Sequence, residues 1–112
     1  AGQTHERVID VLWSDAKHRR ITGGRLTPVG NSVDVARATY KNDIGAAQLN
    51  GVFTDNEFDP RQRAFYYLRV VEIPTPRWTA YDRARFNVKM TPDVTMMLQE
   101  RAVTSPIWYT PR

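Results

Sequence analysis

The sequence contains no cysteine among its 112 residues and only two histidines, His5 and His18. Without thiols there is no disulfide framework, no thiolate zinc site and no cysteine nucleophile. The two histidines stand 13 positions apart, and neither opens an H-x-H or H-E-x-x-H arrangement. Long apolar runs are absent too. No stretch approaches the roughly 20 residues that cross a bilayer, so no membrane partner is expected. The amino end, Ala1-Gly2-Gln3-Thr4-His5, lacks a signal-peptide pattern, and starting without Met fits a processed protein or a segment of a longer one.

What remains is a short, moderately apolar, basic chain. Hydrophobic residues make up 41% and charged ones 25%, and 25 residues are Leu, Ile, Val or Phe, enough for one small folded domain. The net charge is +4, and 13 of the 16 basic residues are Arg. Most of the excess sits in Lys17, Arg19, Arg20 and Arg25. That run holds no aromatic platform for bases and adjoins Gly23-Gly24, so it reads as a solvated loop, with no nucleic acid as partner.

Period-2 patterning points to strands. Residues 7–13 place Ile9, Val11 and Trp13 on one face, and residues 32–40 do the same for Val33 and Val35. A weaker strand enters a polar loop at Val52 and Phe53. In residues 63–73, Phe65, Tyr67, Arg69 and Val71 alternate with Tyr66, Leu68, Val70 and Glu72, which suits a strand in the middle of a sheet. Pro74 and Pro76 are expected to stop it. A short helical turn over 79–86 follows, with Thr79 and Asp82 as a capping pair. The segment from Thr91 can start a helix over Val94, Met97 and Leu98, but a strand over 98–109, with Pro106 at an edge or bulge, is preferred. The sum is one small β-rich domain spanning residues 1–112.

Catalytic patterns are missing. Ser14, Ser32 and Ser105 have no nucleophile-elbow context, and no glycine-rich phosphate loop follows a strand. Asp55, Glu57 and Asp59 alternate like the start of a calcium loop, but Pro60 replaces the required Gly and Tyr66 the closing Glu, leaving a solvated turn. His5 with Glu6 and Asp10 does not converge if the segment is a strand, because neighbours point to opposite faces. Glu72 and Glu100 can be an acid and base pair, or simply partners of Arg69 and Arg101. The residues singled out for docking or ligand contact are Arg77, Trp78, Tyr81, Asp82, Glu100, Trp108 and Tyr109.

Two long motifs carry a family likeness. Arg-Ala-Phe-Tyr-Tyr-Leu-Arg-Val-Val-Glu-Ile-Pro-Thr-Pro-Arg-Trp-Thr-Ala-Tyr-Asp over 63–82 and Gln-Glu-Arg-Ala-Val-Thr-Ser-Pro-Ile-Trp-Tyr-Thr-Pro over 99–111 resemble the carboxy-terminal part of the bacterial domain of unknown function family thirty-six hundred and four. Residues 4–14 and 28–59, with Val-Gly-Asn-Ser-Val-Asp and Phe-Thr-Asp-Asn-Glu-Phe-Asp-Pro, extend the likeness over nearly the whole chain. The resemblance implies the tail of a larger protein, periplasmic or secreted, whose preceding part is a metal-dependent hydrolase barrel of the polymerase-and-histidinol-phosphatase type with a divalent metal. The Asp-Leu-His-x-His signature of that barrel is absent here, so no metal ligand carries over and no cofactor is assigned to this chain. The same resemblance makes Thr-Ser-Pro-Ile-Trp the last strand of an all-β, immunoglobulin-like β-sandwich, paired near residues 65–73. The expected role is a non-catalytic accessory module docked on the parent's barrel. Its rivals are a segment completing the active site through Arg77, Asp82 or Glu100, which would bind an anionic group, and a carbohydrate- or surface-binding module.

Overall fold

Glycine decides the first regular element. In the computed structural model, which describes residues 2–112, strands β1 (Ile21–Thr22) and β2 (Arg25–Leu26) pair antiparallel around Gly23 and Gly24, at φ 58° and 74°. A two-residue loop with both central φ values positive is the type I′ turn, whose twist matches a hairpin and which side chains resist. Arg19 closes the base, donating from Nε to the Thr27 carbonyl at 2.9 Å and from Nη1 to Ser14 Oγ at 3.0 Å. The basic run therefore forms a tight hairpin with Lys17, Arg20 and Arg25 exposed on it.

Three expected strands do not form. Residues 7–13 adopt no regular element. Their alternation finds no partner strand, and side chains tether the segment instead: Arg7 to Glu57, and Leu12 so close to Gly51 that a Cβ there would lie 2.6 Å from Leu Cδ2. Residues 32–40 form a turn closed by a lone bridge between Asp34 and Thr39. Local side chains capture the backbone there, Asn31 accepting from the Val33 N–H and Asp34 from the Arg37 N–H, which diverts it from a ladder. The expected strand at Val52 and Phe53 is likewise absent.

The main framework is one pair of segments that meets twice. Strand β3 (Ala64–Tyr66) pairs antiparallel with the last strand, Ile107–Tyr109, and strand β4 (Arg69–Pro76) pairs with β5 (Met97–Val103); the last strand is β6. The expected continuous strand over 63–73 is thus broken at Tyr67 and Leu68, and the one over 98–109 at Thr104–Pro106, where Pro106 had marked an irregularity. Thr104 bridges the gap: its N–H donates to the Leu68 carbonyl at 3.0 Å, and its hydroxyl accepts from the Leu68 N–H at 2.9 Å. Neither half lies in the middle of a sheet, since every sheet has two strands among the described residues.

Pro74 does not end β4, which runs through it and stops at Pro76. The phase of the ladder explains this. Thr104 bonds Leu68 at one end and the Arg77 N–H donates to Met96 at the other, so alternation puts both prolines where a backbone N–H faces away from β5. Between Val71 and Pro74 the register slips by one residue, a bulge at which Gln99 Nε2 donates to the freed Glu72 carbonyl at 3.0 Å.

Helix α1 (Trp78–Phe86) follows directly. Its N-cap is Arg77, without a side-chain cap, so the expected Thr79 and Asp82 pair does not form. Thr79 is buried inside the first turn and donates its hydroxyl to the Thr95 carbonyl at 2.6 Å. Asn87 at φ 52° ends the helix in the left-handed conformation that Asn tolerates. Arg83 ties it to the 34–39 turn through the Val35 carbonyl at 2.8 Å, above the buried Ala38. Residues 91–94 form a turn, in keeping with the preference for strand over helix beyond them.

The core is small. Among the described residues Ser14, Ala38, Pro74, Pro76, Thr79 and Ala80 are the buried ones, and no large side chain is fully buried. The accessible surface is 9889 Å², against about 6,300 Å² for a folded chain of this mass. The radius of gyration is 19.0 Å, where a compact chain of about this length has roughly 13 Å. The architecture is β-rich with one short helix, laid out as three separate ribbons over 61 × 37 × 26 Å.

Gly45 joins the loops to this framework at φ +81°, where a Cβ would lie 2.5 Å from Ile73 Cγ2. Gly45→Ala should destabilise the fold by about 1–2 kcal/mol from backbone strain and about 1–3 kcal/mol more from overlap. Gly30→Ala, at φ +94° with open space around it, should show the first effect alone. Equal shifts of the two melting temperatures would contradict the packing at Gly45.

Candidate functional site

The docking candidates fall into three places. Arg77, Trp78, Tyr81 and Asp82 lie at the start of α1, held there because β4 delivers Arg77 into the Met96 hydrogen bond. The Arg77 guanidinium sits 5.7 Å from the centre of the Trp78 ring, whose residue is 61% exposed. Trp108 and Tyr109 lie on β6. Trp108 pairs across the ribbon with Phe65, ring centres 5.2 Å apart, and is 72% exposed. Tyr109 turns the other way, edge-on to Phe58 at 4.8 Å, with its hydroxyl donating to the Pro60 carbonyl at 2.9 Å. Glu100 stands exposed on β5. No hydrogen bond, ion pair or ring contact among the described residues links these three groups.

Charged side chains gather instead where the amino-terminal segment crosses the β3–β4 junction. Glu6 Oε1 accepts from Arg69 Nη2 at 2.8 Å and from the Tyr67 hydroxyl, and Arg69 lies over the Tyr67 ring at 5.2 Å. One step away Arg7 reaches Glu57 and, at 3.8 Å, Asp55, which also accepts from the Tyr66 hydroxyl at 2.8 Å. Arg69 thus pairs with Glu6 and not with Glu72, and the acidic turn at 55–59 is part of a surface clasp. No sequence signal pointed to these pairings of Glu6 and Arg7, whose partners lie 48 or more residues away. Between the clasps and the chain runs an apolar groove of about 180 Å³, lined by Val11, Leu12, Gly51, Val52, Phe53 and Leu68. Val52 is 95% exposed at its rim.

A family model described as Protein of unknown function (DUF3604) matches residues 1–111. The chain belongs to the DUF3604 family. Curated proteins and solved structures give no match to it. For this DUF3604 chain a divalent metal is the one cofactor that resemblance raised, and its residues do not fit one. Among the described residues no three His, Asp or Glu side chains are grouped to hold an ion, and His18 Nδ1 is engaged with Asp15 Oδ1 at 2.7 Å. No helix among the described residues is long and apolar enough to cross a membrane.

Four carboxylates of the DUF3604 chain are held below their ordinary value of 3.8: Asp55 by the Tyr66 hydroxyl, Asp59 by the Arg61 side chain, Asp34 by the Arg37 backbone N–H and Asp93 by the Thr91 side chain. A depressed native pKa means that the unfolded chain binds more protons. Their stabilisation is therefore complete above 3.8 and disappears as pH falls below it through the native values. The denaturation midpoint should drop as pH falls below about 4, and Asp55→Asn should shrink that drop. A midpoint that rises on acidification would count against the clasp.

Proposed function

We propose that the chain is a non-catalytic docking segment of a larger, exported metal-dependent hydrolase, folded against the rest of that protein. One observation carries this reading: about 3,600 Å² more surface is exposed than a compact chain of this mass shows, and much of it is large and apolar. Val70, Val71, Val103, Ile107 and Trp108 are all more than half exposed. At about 25 cal/mol per Å² of apolar area, such a surface is costly to leave in water. An enzyme assembled within this chain would have to use groups that lie apart, since Arg77, Asp82 and Glu100 share no contact. The immunoglobulin-like sandwich belongs to the same proposal. The two ribbons that contain β3 to β6 supply four strands, and the parent's strands complete the two layers. The metal is held by the parent's barrel, outside these residues.

The test compares Trp108→Ala in the natural full-length protein and in the isolated chain. Docked, Trp108 is a core residue and its loss should cost about 3–5 kcal/mol. In the isolated chain an exposed position should move stability by no more than about 0.5 kcal/mol. The same small effect in both settings would end the docking reading. Elemental analysis of the full-length protein should find a divalent metal whose stoichiometry is unchanged by His5→Ala or His18→Ala, and loss of metal from either variant would return the chemistry to this chain.

A further inference from the structure

The ribbon of β4 and β5 has two outer edges, and they are not equivalent. With Leu68–Thr104 and Arg77–Met96 as hydrogen-bonded pairs, the backbone groups of Arg69, Val71, Pro74 and Pro76 point outward on β4, and those of Met97, Gln99, Arg101 and Val103 point outward on β5. On β4 the prolines remove two donors, and Arg69 is clasped by Glu6. A strand laid along that edge would leave its own carbonyls unpaired. On β5 seven consecutive residues keep every outward N–H and C=O, and no strand among the described residues pairs with them. On β5 itself Val103 is more than half exposed.

We infer that the outer edge of β5 is a strand-addition site, and that its occupant is a β-strand from another region of the same larger polypeptide. This rests on the docking reading above and gives it a partner. A second copy is disfavoured by charge. Antiparallel pairing of β5 with itself in its longest register sets Glu100 against Glu100, and a slip of two residues sets either Arg101 against Arg101 or, over only residues 97–101, Gln99 against Gln99. Like charges directly opposite destabilise a strand pair. Pairing β5 with the β4 edge of a second copy meets the donorless prolines. The occupant's strand therefore has its own sequence, with a basic residue opposite Glu100, an acidic one opposite Arg101 and apolar residues beside Val103 and Ala102. Neither Glu100 nor Arg101 has an ion-pair partner among the described residues.

Residue-resolved amide exchange in the natural full-length protein tests the site. A free edge leaves the outward amides of Gln99, Arg101 and Val103 unprotected, whereas a paired edge slows them to within about tenfold of the inward amides of Leu98, Glu100 and Ala102. Arg101→Pro, which removes an outward donor as Pro74 and Pro76 do on β4, should then abolish protection at Gln99 and Val103 while Ala102 stays protected. Fast exchange at all three outward amides overturns strand addition. If Trp108 is nevertheless shielded from hydroxyl-radical labelling, docking stands without it; if Trp108 is labelled as well, both readings fail. Outward protection that appears only as a dimer forms would overturn the choice of occupant.

Discussion

The antiparallel pairing of residues 64–76 with residues 97–109 is the constraint on which the rest depends. It forms twice, as β3 with β6 and as β4 with β5, and Thr104 closes the gap through two hydrogen bonds to Leu68. Between the two segments lies α1, so its position is set by the ladder that delivers Arg77 at its start and Thr95 beneath Thr79. The amino-terminal half has no comparable ladder. It is fastened to this framework by Glu6 on Arg69, Arg7 on the acidic turn, Leu12 on Gly51 and Gly45 on Ile73. Exposed ion pairs are each worth no more than about 1 kcal/mol, so the clasps orient the segment more than they stabilise it.

Hydrogen bonding and hydrophobic burial part company in this chain. Its backbone is organised into ribbons and turns, yet the apolar faces that such ribbons normally bury are open to solvent. Two-stranded ribbons are at best marginal alone, because one face of a sheet must pack on something. Trp108 and Phe65 illustrate the point: they meet each other across a strand pair but meet no second layer. Exposed aromatics of this kind would suggest a sugar platform on a well-packed domain. Here some twenty large apolar residues are exposed in all, so exposure does not single these two out.

Much of the carboxy-terminal half was legible in the sequence. Alternation and β-branched or aromatic content marked 63–73 and 98–109, the helix near 79–86 was placed within a residue, and Pro106 flagged a real interruption. The amino-terminal half misled. Ile9, Val11 and Trp13 alternate as a strand does, as do Val33 and Val35, but period-2 patterning says only that one face prefers burial. It does not supply the neighbour with which to pair. At 31–37 the short polar side chains of Asn31 and Asp34 took the backbone N–H groups first.

The sequence by itself determined the family, the β-rich character, a break at Gly23-Gly24 and the lack of a local metal or nucleophile motif, because each rests on residue type and near-neighbour spacing. Only the tertiary structure decided that Pro74 lies inside a strand that Pro76 closes, that Glu6 rather than Glu72 partners Arg69, and that β5 keeps an intact edge while β4 does not. These depend on the phase of a ladder between segments some 30 residues apart and on contacts spanning 60. Residue type sets what a position can bond to, and the register of a distant partner sets which way its bonds point.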